Sequence, residues 1–133
     1  NDCHEHVLQD IAAVSQGSIV APDHEYPSSL EFRLTATSDG QATTPARKIY
    51  PKTVVLTFKT RPSALHLVVY GVSQKAPFTQ TVIQNSKVTI SASTPQTLQG
   101  FTYVFSRWSD GGAQTHTITA SISTSTYTAF FSR

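Results

Sequence analysis

The chain holds one indole, Trp108, in the run FSRWSDGGAQTHTI at 105–118. Ser109, Asp110, Gly111 and Gly112 read as a tight turn, so the ring stands at a turn's lip. Two kinds of chemistry suit that placement. An exposed indole face would stack on the C–H-rich face of a pyranose, with Arg107, Asp110, Gln114 and His116 bonding the sugar hydroxyls. Alternatively the ring turns inward beside Phe105 and closes one end of a β-fold as an apolar lid, while glycine supplies the positive φ of the turn. A lone tryptophan is usually well buried, which favours the lid, with binding left to Arg107, Asp110, Gln114 and His116 at its rim. Among the strand aromatics, Tyr70 is the surface candidate, because it shares a strand face with His66 and Val68.

A second set of side chains could hold a metal. His4 and His6 are two apart, so an extended segment puts both on one side, as a transition-metal pair requires. The loop Asp23-His24-Glu25 could add His24 and a carboxylate. The competing reading is a solvated arm and a polar loop anchored by a buried Tyr26. No Asp-x-Asp-x-Asp run suggests calcium. A divalent metal is thus the one cofactor considered, and otherwise none is expected.

Catalytic signatures do not appear. There is no G-x-S-x-G elbow, no phosphate-binding glycine motif and no paired-carboxylate pattern for glycoside hydrolysis. The expectation is a protein that is not an enzyme. Ten Lys and Arg against eight Asp and Glu give a net charge of +2. The cations are spread along the chain, and only ARKIYPK and KTRP approach clusters, so no nucleic-acid partner is expected. No apolar run approaches the ~18 residues of a membrane helix, so no membrane partner is expected either. The single cysteine, Cys3, has no internal partner. With a start other than Met, it suggests a piece cut from a larger protein.

The elements that must position these residues read as strands. Thr, Val, Ile, Tyr and Phe dominate, charged residues are 14%, and helix formers are sparse. HVLQDIAAV at 6–14 could be a short helix or an irregular edge strand, and GSIVA at 17–21 reads as a strand. LEFRLTAT at 30–37 alternates, with Leu30, Phe32, Leu34 and Ala36 on one face, as in a half-buried strand. SDGQ turns the chain into a returning strand at 46–51. TVVLTFKT at 53–60 puts Val54, Leu56 and Phe58 inward, and 64–71 does the same with Leu65, Leu67 and Val69. Further strands are expected at 76–84, 87–93, 101–108, 115–121 and 126–132, with TPQTLQG as a loop. This spacing predicts an all-β, immunoglobulin-like β-sandwich. Residues 1–51 read as a partial β unit and 52–133 as a C-terminal β-sandwich module, either separate or packed together.

Two segments resemble a known family. APDHEYPSSLEFRLTATSDG at 21–40, preceded by CHEH at 3–6, resembles the end of the PKD-like, immunoglobulin-type module of secreted PQQ-dependent glucose/sorbosone-type sugar dehydrogenases. The stretch 77–131 resembles the β-module that follows it, through Trp108–Gly112, His116 and Thr126–Ala129. The resemblance reaches accessory modules only, not the catalytic propeller. It implies a secreted, extracellular β-module that binds polysaccharide or oligosaccharide beside a parent catalytic domain. The alternative is a structural spacer or protein-interaction module without a ligand.

Overall fold

A computed structural model describes residues 7–13 and 16–133, and those residues form an all-β fold with no helix. Residues 7–13 are neither helix nor strand, and 17–21 is irregular rather than the expected strand. The first strands are β1 (Leu30–Arg33), β2 (Ala36–Ser38), β3 (Gln41–Thr43) and β4 (Ala46–Ile49). They make one long hairpin. β2 pairs with β3 across Asp39 and Gly40, whose φ values of 51° and 77° match the twist of a two-residue hairpin turn. β1 then pairs with β4, Leu30 opposite Ile49. The half-buried strand expected here is not found: Phe32 is 41% and Leu34 64% exposed. The hairpin joins neither of the larger sheets, so no second layer covers its apolar face.

The rest is a two-layer sandwich. Its strands are β5 (Thr53–Arg61), β6 (His66–Val69), β7 (Val72–Lys75), β8 (Phe78–Ile83), β9 (Lys87–Ser91), β10 (Gln96–Leu98), β11 (Phe101–Trp108), β12 (Thr115–Thr119) and β13 (Ser125–Ser132). One sheet has the order β10-β11-β13-β5-β8 and the other β12-β9-β6-β7. Every pairing is antiparallel except β13 with β5, which sets the first and last sandwich strands side by side.

Strict alternation builds the core between the layers. Val54, Leu56 and Phe58 point in from β5, and Leu67, Val69, Val88, Ile90 and Ile118 meet them from the second sheet. Phe58 stacks on Phe78 at 5.3 Å and on Tyr127 at 5.8 Å between ring centres. The inward set of 64–71 is as expected, but Tyr70 and Gly71 (φ 50° and 75°) turn the chain at once into β7. TPQTLQG is not simply a loop either, since it contains β10. Both additions are short, polar edge strands. Gln96 of β10 joins the two sheets: its Oε1 accepts from the His66 N–H at 2.7 Å and its Nε2 donates to the His66 carbonyl at 2.9 Å. Among the described residues, no helix is long and apolar enough to cross a membrane.

Candidate functional site

Trp108 ends β11, paired with Ala129 of β13. It is 1% exposed, so its face is closed to any sugar and the platform reading fails. Its Nε1–H donates to the Gln114 carbonyl at 3.0 Å, which resolves the polar cost of burying an indole. Phe105 lies 6.2 Å away and His116 meets the ring edge-on at 5.8 Å.

The proposed rim residues are mostly engaged in the same knot. Asp110 Oδ1 accepts from the Gly112 N–H at 3.0 Å, and its Oδ2 lies 2.8 Å from His116 Nε2. His116 Nδ1 lies 2.7 Å from the Ala113 carbonyl. A carbonyl and a carboxylate both only accept, so both ring nitrogens of His116 face acceptors. Burial pushes the Asp110 carboxyl up, but hydrogen bonds from His116 and the Gly112 N–H, with the His116 charge, hold it below its ordinary value. The Gln114 carbonyl also accepts from the Ala92 N–H at 3.1 Å, and its side-chain amide donates to the Ala92 carbonyl at 2.9 Å.

The two glycines have separate reasons. Gly111 takes φ +78°, while a Cβ on Gly112 would collide with the His116 ring. The WSDGG…TH pattern is therefore a clasp tying the β11–β12 turn to the end of β9. Of its proposed sugar contacts, Asp110, Gln114 and His116 are hydrogen-bonded within it, whereas Arg107 is exposed on the sheet with its guanidinium 4.0 Å from the centre of the Phe130 ring.

Tyr70 and His24, put forward for different roles, line one open recess of about 460 Å³ with Asp23, Glu25, Lys87 and Thr89. Tyr70 packs on the core edge, and burial pushes its phenol up. Asp23 Oδ2 accepts from the Lys87 N–H at 3.1 Å. His24 Nδ1 faces the Glu25 carbonyl at 3.1 Å. Tyr26, expected as a buried anchor, is 46% exposed. His4 and His6 lie outside the described residues, among which no three His, Cys, Asp or Glu gather as a metal site.

The sequence reading missed a second recess of about 450 Å³, on the five-stranded sheet. It is lined by Lys59, Arg61, Pro62, Ser63, Thr126 and Thr128, among others. Register builds it, because Lys59 lies opposite Thr128 and Arg61 opposite Phe130 across the parallel pair, while Arg107 lies opposite Phe130 on the other side. One stretch of the sheet thus gathers three cations from two distant parts of the chain, with Arg107 over the Phe130 ring. Among the described residues the ion pairs are Arg33–Glu31 and His116–Asp110, so no carboxylate meets Lys59, Arg61 or Arg107. The hydroxyls differ in the same way. On the opposite sheet Ser91 bonds Thr115 at 2.7 Å and Lys87 Nζ donates to Thr119 at 2.8 Å. The Thr126 and Thr128 hydroxyls have no such partner among the described residues.

The overall charge of +2 hides a division. Residues 52–133 carry seven Lys and Arg and a single carboxylate, Asp110, and the other seven carboxylates lie in residues 1–39. A sequence signal existed in that asymmetry. No family model, curated protein or solved structure matches the chain.

Proposed function

We propose that the chain is a non-catalytic, carbohydrate-binding accessory module of a secreted carbohydrate-active enzyme, holding the parent catalytic domain near its polysaccharide. The observation that carries this reading is the recess on the five-stranded sheet, where unpartnered hydroxyls of Thr126 and Thr128 lie beside Lys59 and Arg61. Hydroxyls and cations with open hydrogen-bonding capacity on rigid strands are suited to fixing a polyhydroxylated ligand. The resemblance to modules of extracellular sugar dehydrogenases supports the same reading. It is also the basis for expecting secretion.

A ligand-free spacer is the rival, and the closure of Trp108 into the fold favours it. Affinity electrophoresis of the whole chain through gels containing a broad set of soluble polysaccharides, with pull-down on insoluble ones, separates the two. Retardation on at least one glycan supports the module. Migration unchanged on all of them would leave the spacer.

A further inference from the structure

We infer that the glycan this module takes is anionic, bearing carboxylate or sulfate groups, and that it lies across the row Arg61–Phe130–Arg107 on the five-stranded sheet. This inference rests on the carbohydrate-binding reading above and names its ligand class. Three features carry it.

The first is the row itself. Arg61, Phe130 and Arg107 are cross-strand neighbours on β5, β13 and β11, with Lys59 opposite Thr128 two positions along. At ~4.8 Å between strands, the two arginine Cα atoms stand ~10 Å apart. That spacing suits an extended ligand with repeated negative charge better than one small anion. The second feature is the state of the cations. The Arg107 guanidinium carbon stands 4.0 Å from the centre of the Phe130 ring, a cation–π contact that restrains the side chain while leaving N–H groups free. Lys59 and Arg61 are exposed at the recess, with no carboxylate partner among the described residues. Charge-assisted hydrogen bonds to a carboxylate or sulfate would satisfy all three, which neutral hydroxyls would do less strongly. The third is the field. With seven Lys and Arg against Asp110 alone in residues 52–133, and Asp110 held by His116, little in the sandwich opposes attraction of a polyanion.

The test uses dextran, carboxymethyl-dextran and dextran sulfate, which share one backbone and differ in charge, together with polygalacturonate, neutral xylan and double-stranded DNA. Affinity electrophoresis of the whole chain is run at near-physiological salt, where weak unspecific attraction is screened. The expected result is retardation by polygalacturonate and by one or both charged dextrans, but not by dextran. K59Q, R61Q and R107Q should each weaken it by ~10-fold, as loss of a charge-assisted bond does. K75Q, the same charge change on the other sheet, should leave it intact. Equal melting curves for the four variants show that they fold.

Retardation by dextran and xylan equal to that of the charged glycans, untouched by R61Q, would overturn this inference and leave the carbohydrate-binding reading standing. Retardation by no glycan would overturn both. Stronger retardation by DNA than by any glycan, with the same dependence on Arg61 and Arg107, would replace the glycan with a nucleic acid.

Discussion

LEFRLTAT at 30–37 and TVVLTFKT at 53–60 alternate apolar and polar residues almost identically, yet they end in opposite environments. In the second, Leu56 and Phe58 are fully buried against the other sheet. In the first, Phe32 and Leu34 stay open to solvent on a two-stranded hairpin. Alternation dictates a strand, because successive side chains leave opposite faces. It does not dictate that anything covers the apolar face. Burial needs a second layer, and only residues 53–132 supply one to each other.

The comparison can be broken by truncation. Trp108→Ala should have the largest effect, destabilising by ~3–5 kcal/mol in the denaturant midpoint, because removal of the buried ring leaves a cavity and takes away one of the two hydrogen bonds to the Gln114 carbonyl. Leu56→Ala should cost ~2–5 kcal/mol by the same mechanism. Leu34→Ala, matched in chemistry and in strand pattern, should stay within ~0.5 kcal/mol, as exposed substitutions do. Equal costs at Leu34 and Leu56 would mean that the hairpin is covered after all.

A smaller effect sharpens the account of the clasp. Asp110 has a folded carboxyl held below its ordinary value of 3.8. The folded state therefore binds fewer protons there than the unfolded state near that pH. The resulting stability is fully present above 3.8 and is lost as pH falls through the lower folded value. Urea midpoints taken down through that acid window should fall in the wild type, and fall less steeply in Asp110→Asn. Parallel curves would show that the clasp holds no ionised carboxylate.

Much of the sandwich was legible in the sequence, because β5, β6 and β9 carry apolar residues at every second position, and β8, β11, β12 and β13 are rich in β-branched and aromatic residues between turn signals. β7 and β10 were not. They are edge strands of polar residues, VSQK and QTL, entered or left through the turns Tyr70-Gly71 and Gln99-Gly100. GSIVA misled in the other direction, since Ile19 and Val20 look like strand residues but meet no partner strand. The lid role of Trp108 followed from the tendency of a lone tryptophan to be buried, since its position before a glycine turn suited either reading. The fate of Asp110, Gln114 and His116 did not, because spacing cannot tell whether a polar side chain bonds a ligand or its own loop. The basic recess was hidden for a topological reason. Lys59 and Arg61 approach Arg107 only through the parallel pairing of β5 with β13, which no local pattern announces.

The central division is between a tryptophan motif that closes the fold and a binding face that lies elsewhere. The fluorescence of the single indole tests it most directly. The native chain should emit to the blue of the urea-unfolded chain and resist acrylamide quenching, and saturating polygalacturonate should change neither property. Native emission and quenching equal to those of the unfolded chain, with protection restored by glycan, would place Trp108 in the binding site and contradict the account.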